Sequence, residues 1–90
     1  MKNKNEIKWL DRNLVTESDK ETMLKKLTLR GWGYSKSDLK NEILKFKRAM
    51  DKGDVHATSL IFMELEEANY HDICGSLYRG DIDTAMELIG

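Results

Sequence analysis

His71, Asp72 and Cys74 form the densest group of chemically able side chains in this 90-residue sequence, and His56 is the other histidine. A metal site needs three or four convergent nitrogen, sulfur or carboxylate ligands. The spacing 71, 72, 74 does not place three ligands on one helix face, so no metal is expected there. Cys74 and His71 are three residues apart and can be helix neighbours, the minimum for a thiolate–imidazole pair. A helix interior supplies neither an oxyanion hole nor a substrate cleft. Cys74 is therefore expected to be a small core residue and His71 a surface or helix-end residue. Arg79-Gly80-Asp81 spells an integrin-type tripeptide, but it parallels Lys52-Gly53-Asp54, and its glycine and aspartate have the turn and capping roles given below. No catalytic residue, cofactor or metal ligand is expected, and the chain reads as a non-enzyme.

Two other groupings could bind rather than react. Lys36, Lys40, Lys45, Lys47 and Arg48 lie within one lysine-rich segment and could meet phosphates with salt-dependent affinity. Two helices, 18–30 and 36–52, joined by a glycine-containing turn have a helix-turn-helix outline. A sequence pI near 6.1 argues against a dedicated nucleic-acid binder. The second grouping pairs Trp32 and Tyr34 with the acidic run Glu64, Glu66 and Glu67. Aromatic anchors dominate protein interfaces, and the carboxylates suit a basic partner surface.

Charge divides the chain unevenly. Residues 1–52 hold 14 Lys/Arg against 8 Asp/Glu, a net of +6, whereas residues 53–90 hold one Arg against 8 Asp/Glu, a net of −7. The halves either compensate side by side or present one sign to a partner. The absence of proline and the wealth of Leu, Lys, Glu and Met favour helix throughout. No apolar run reaches the roughly 18 residues of a membrane span. The basic start Met1-Lys2-Asn3-Lys4-Asn5 has no apolar segment after it, so it does not read as a secretory signal. The single cysteine points to a reducing compartment, and a cytoplasmic location is expected. The lysine- and asparagine-rich composition suits a phage or mobile-element protein.

The elements that must position these groups follow from periodicity and punctuation. Residues 1–6 read as a frayed terminus and 7–90 as one helical domain. Asn5 to Asn13 is expected as a short helix or an irregular arm, with Trp9 anchoring it to the body. Ser18 with Glu21 fits a capping box, opening a helix to about Arg30 that buries Met23, Leu24, Leu27 and Leu29. Gly31-Trp32-Gly33-Tyr34 breaks it, with Trp32 expected chiefly as a core plug and otherwise as an exposed contact. Ser35 or Ser37 caps the next helix, where Leu39, Ile43, Phe46 and Met50 form one apolar stripe that Leu44 widens. Gly53 ends it and Asp54 caps the following helix. That helix, carrying Leu60, Ile61, Phe62, Met63 and Leu65, is expected to be the hub and to break near Asn69. A helix at 70–79 puts Ile73, Cys74, Leu77 and Tyr78 inward. Gly80-Asp81 repeats the turn 27 residues after Gly53-Asp54, and Ile82, Ala85, Met86, Leu88 and Ile89 make a last short helix.

The sequence therefore predicts an all-α fold, a compact bundle of four to five short helices built from αα-hairpins. The function expected of it is that of a protein-binding regulator, inhibitor or adaptor, with Trp32, Tyr34, Glu64, Glu66 and Glu67 at the contact. The alternative is a helix-turn-helix-like nucleic-acid binder using the lysines of 36–52. A homodimer through the hub helix is a third possibility.

Overall fold

The computed structural model describes residues 9–90. The terminus expected to fray at 1–6, and the first half of the helix expected from Asn5, lie outside them. Among the described residues all regular structure is helical. A 3-10 turn at Arg12–Leu14 precedes α1 (Glu17–Leu29), α2 (Lys36–Lys52), α3 (Val55–Glu67), α4 (His71–Tyr78) and α5 (Ile82–Ile89). The expected all-α bundle of short helices is what forms.

Its turns share one chemistry. After α2, Gly53 adopts φ 75°, its N–H donates to Met50 O at 3.1 Å and the next N–H, of Asp54, reaches back to Ala49 O at 2.9 Å. After α4, Gly80 (φ 75°) and Asp81 repeat this with Leu77 O and Ser76 O at 2.9 and 2.8 Å. This pair of bonds satisfies the last free carbonyls of a helix and requires a left-handed residue. Each aspartate then caps the following helix, Asp54 accepting from Ala57 N and Asp81 from Thr84 N, both at 3.1 Å. The recurring Gly-Asp pair thus makes two αα-hairpins. Asn69 (φ 70°) ends α3 in the same way, with Tyr70 N donating to Leu65 O at 3.0 Å. Asparagine tolerates the left-handed region, so 55–79 is two helices.

The hairpins close a ring. α2 packs on α3 and α5, and α4 packs on the same two helices. Leu39, Ile43 and Phe46 of α2 meet Phe62 and Leu65 of α3, Ile73, Cys74 and Leu77 of α4, and Ala85 and Ile89 of α5. α1 and the 3-10 turn pack on α3 from outside the ring. α3 is therefore the hub, packed by α2, α4, α1 and the 3-10 turn.

Several local expectations change. α1 starts earlier than Ser18: Thr16 is the cap, with Asp19 N donating to Thr16 Oγ1 at 3.1 Å and Thr16 N to Asp19 Oδ2 at 3.0 Å. Both Thr-x-x-Asp and Ser-x-x-Glu fit a capping box, and the extended backbone falls at Thr16. Leu24, Leu29, Leu44, Tyr78 and Leu88 point to solvent rather than to the core. Each lies just outside the buried arc of its helix, and short helices in a small bundle bury only a narrow stripe.

The segment at residues 9–15 forms a strap across α3 and the end of α4. The Trp9 indole N–H donates to Leu77 O and Tyr78 O at 3.0 and 3.2 Å. The Thr58 hydroxyl donates to Trp9 O, and Asp11 N donates to Ser59 Oγ at 2.8 Å. Thr58 and Ser59 are fully buried polar residues of α3; the strap gives both a partner, and the Thr58 hydroxyl also reaches Val55 O of its own helix at 3.0 Å. Trp9 also packs closely against Gly80, where an added Cβ would come within 2.9 Å of the indole ring.

Candidate partner-binding surface

The expected contact residues gather where α1 joins the ring, and they do not all face outward. Glu64 is buried at the junction, not displayed on the surface. Lys26 Nζ of α1 lies 3.1 Å from Glu64 Oε2 and 3.6 Å from Glu42 Oε2 of α2. Lys45 Nζ adds a second cation 2.9 Å from Glu42 Oε2. The Tyr34 hydroxyl donates to Glu64, while Tyr34 N donates to the Tyr70 hydroxyl at 3.0 Å. Burial, then the bond to Glu64, pushes the Tyr34 phenol well above its ordinary pKa. The Tyr34 ring packs edge-on against Tyr70 and carries the Arg30 guanidinium 4.8 Å from its centroid. Tyr34 and Glu64 are thus parts of a clasp that fastens α1. Two buried carboxylates sharing Lys26 would be costly without that ammonium, and Glu42 Oε1 has no hydrogen-bond partner among the described residues.

The remaining acidic candidates separate. Glu66 is held by Arg12 through two bonds of 2.7 and 3.1 Å. That guanidinium bond, outweighing partial desolvation, keeps the Glu66 carboxyl below the usual carboxylate range. Arg12 also lies over the Phe62 ring at 5.4 Å, so Glu66 serves the strap. Glu67 alone of the three is freely exposed.

Trp32 is not a core plug. Its N–H donates to Leu27 O at 2.8 Å and Gly31 N to Thr28 O at 3.0 Å, so α1 ends in the same motif as α2, α3 and α4. The difference lies in the next residue. At the other three turns it has negative φ (Asp54 −85°, Tyr70 −88°, Asp81 −94°), but Trp32 has φ 63° directly after Gly31 at 67°. A bulky residue in the left-handed region is strained. Trp32 remains 45% exposed, so only part of its ring is buried to offset that strain. On the helix that precedes it, Leu24 is 42% and Leu29 89% exposed. Leu24, Lys25, Thr28 and Leu29 line one shallow hollow opposite the side of α1 that buries Met23 and Leu27. Helical spacing alone could have flagged this: with Met23 and Leu27 inward, residues 24, 25, 28 and 29 fall on the other side.

The alternative nucleic-acid residues lie on α2. Lys36, Lys40, Lys47 and Arg48 are exposed, with Lys47 paired to Asp51 at 3.0 Å and Lys45 engaged with Glu42. α1 and α2 make no direct backbone packing; side-chain links such as Lys26–Glu42 and Arg30–Asp38 join them instead. The geometry of a helix-turn-helix, in which one helix braces the other in a groove, is not formed. His71 is exposed while Cys74 is buried with its thiol donating to Phe62 O at 3.6 Å, so the two do not act together. Burial pushes the Cys74 thiol up to about 12, far from a thiolate nucleophile.

No helix of the described residues is long and apolar enough to cross a membrane. Comparison of the chain with protein-family models, with curated proteins and with solved structures finds no match.

Proposed function

We propose that the chain is a non-enzymatic protein-binding module whose contact surface is the outer side of α1 continued by Trp32. The observation that supports this reading is Trp32 itself, a half-exposed tryptophan held in a left-handed backbone after a glycine that already completes the turn. A tryptophan that strains its turn while 45% of its surface stays exposed is not required by the turn itself, and such strain clusters at functional positions. Leu24 and Leu29 extend the apolar surface along the helix, and large aromatic and aliphatic side chains are the usual anchors of interfaces. Binding acts by occupation of a partner's surface, with the Lys26–Glu64–Tyr34 clasp holding α1 in place.

The test compares what is retained from the native cell extract by the wild type, by Trp32→Gly and by Leu29→Asp. Glycine is at ease at φ 63°, so Trp32→Gly is expected to keep the circular dichroism spectrum and thermal midpoint of the parent. Both variants are expected to lose at least about tenfold of the specifically bound material, equivalent to about 1.4 kcal/mol of anchor contact. Undiminished retention by both variants refutes the α1 surface. Loss only on Glu67→Lys returns the contact to the acidic side.

A further inference from the structure

We infer that the face formed by α2 and α5 is a docking surface for a second copy of this chain. α2 and α5 are neighbours in the ring. Lys36 Nζ lies 3.8 Å from where a Cβ on Gly90 would sit, so the end of α5 adjoins the start of α2 and the two run in opposite directions. On α2 the buried residues are Leu39, Glu42, Ile43, Phe46 and Ala49. Lys36, Lys40 and Lys47 then share the flank that borders α5, because at 100° per residue they lie within one narrow arc beyond Ile43. On α5 Leu88 turns toward α4, where it lines a hollow with Tyr70 and Ile73. Met86 lies on the opposite flank, toward α2, and Asp83 and Glu87 follow it round to solvent. One face therefore carries a basic stripe and an acidic stripe side by side, with Leu44 and Met86 between and beside them.

Such a face is complementary to itself. A twofold axis along the seam between the two helices lays the basic stripe of each copy over the acidic stripe of the other, the isologous arrangement of most homodimers. By the antiparallel register, Glu87 falls level with the interval between Lys36 and Lys40, and Asp83 with that between Lys40 and Lys47. Lys36 and Lys40 make no ion pair among the described residues, so both are free for the second copy. A phosphate backbone on the same ridge would instead run beside Asp83 and Glu87 and be repelled. The 17-residue α2 is about 25 Å long. With neighbouring helices about 9 Å apart and the 8-residue α5 only about 12 Å long, the patch is of order 330 Å² per copy, below the size of a stable specific interface. A weak, salt-sensitive dimer is the result.

Sedimentation equilibrium at about 300 μM protein, a concentration that populates a dimer of Kd about 100 μM, reads this directly. The wild type is expected to dimerise in about 50 mM salt and to weaken at least tenfold in about 500 mM, where exposed charges are screened. Lys40→Glu and Glu87→Lys are each expected to weaken the dimer about tenfold, since each places like charges opposite one another twice. Mixed in equal amounts, the two variants are expected to recover a heterodimer within about threefold of the wild-type affinity, because every reversed charge then meets its opposite. A wild type that stays monomeric, or a mixture no more associated than its separate variants, overturns the inference. So does a dimer lost with Leu29→Asp and kept with Lys40→Glu, which would seat the second copy on α1. Binding of duplex DNA by the monomer, abolished by Lys40→Glu, would assign the ridge to nucleic acid and overturn it as well.

Discussion

The ring of α2 to α5 and the outer helix α1 are built on different physics. The ring is held by a continuous apolar cluster in which Ile43, Phe46, Leu65, Leu77 and Ala85 are wholly removed from water. α1 shares a small cluster, Met23 and Leu27 against Ala68, and otherwise holds through polar side chains: Lys26 to Glu42 and Glu64, Arg30 to Asp38 at 2.7 Å, and Asp19 to His56 at 2.9 Å. Apolar burial is non-directional and scales with area, so the ring resists local loss. Polar clasps are directional, and each is worth little unless desolvated. The outer surface differs only in degree: the ring leaves Leu44, Tyr78 and Leu88 about as exposed as Leu24 of α1, at 40–46%, whereas Leu29 of α1 is 89% exposed.

The strongest way to break this contrast is to cut each cluster once. Phe46→Ala removes a fully buried ring from the centre and is expected to cost about 3–5 kcal/mol, lowering protection from hydrogen exchange in α2 to α5 together. Leu27→Ala is expected to cost about 2–3 kcal/mol, near the lower end for such substitutions. Its effect should be confined: amides of α1 exchange faster while those of α3 and α4 keep their protection. If Leu27→Ala lowers protection everywhere equally, α1 and the ring unfold as one unit and the contrast fails.

What the sequence shows and hides follows this same division. The ring was legible, since Gly53-Asp54 and Gly80-Asp81 carry turn chemistry that has few alternatives, and the stripe Leu39, Ile43, Phe46 can face only one way. The junction was not. Glu64 sits in an acidic run with Glu66 and Glu67, and periodicity does not say which carboxylate is desolvated; that depends on Lys26 arriving from 38 positions away. Leu24 and Leu29 read as core because apolar residues are expected inside, yet α1 packs its backbone against only α3 of the ring and has only one side to bury. Trp32 was legible as a residue under backbone constraint but not in its direction, because the turn motif that the flanking glycines announce leaves its side chain free to plug or to project.

Lys26 tests the clasp itself. Replacing it by methionine keeps the apolar stem but removes the ammonium from two carboxylates that are almost wholly buried. Lys45 still serves Glu42, and Lys26 is partly exposed, so a cost of about 2 kcal/mol is expected, below that for breaking an isolated buried pair. Exchange should rise first in α1 and the 30–35 turn. Lys26→Met combined with Glu64→Gln should recover part of the loss, since the amide leaves no uncompensated charge at that position. A Lys26→Met variant as stable as the parent would mean that the apolar cluster alone fastens α1.

Arg12 gives the smallest effect and the sharpest control, because its ion pair fastens the strap to the ring and not α1. Both Arg12 and Glu66 are substantially exposed, so Arg12→Ala is expected to cost only about 0.5 kcal/mol at pH 7. Its pH dependence has a definite sign. The Glu66 carboxyl is lower in the folded chain than in the unfolded one. The pair's contribution is therefore fully present above the ordinary glutamate value, about 4.3, and disappears as pH falls through the folded value. Stability curves of the wild type and Arg12→Ala, measured by urea titration from neutral to acid pH, should run parallel above about pH 5 and converge as the pH falls below the ordinary glutamate value. Asp19, Asp38 and Asp81 are also held low, by the Thr16 cap, by Arg30 and by Thr84 respectively. Both chains keep these groups, so their loss in acid lowers the two curves equally and leaves the difference to report on Glu66 alone. A difference that persists unchanged into acid would show that Arg12 acts by packing over Phe62, making the strap an extension of the apolar ring and not a polar fastening of the kind that holds α1.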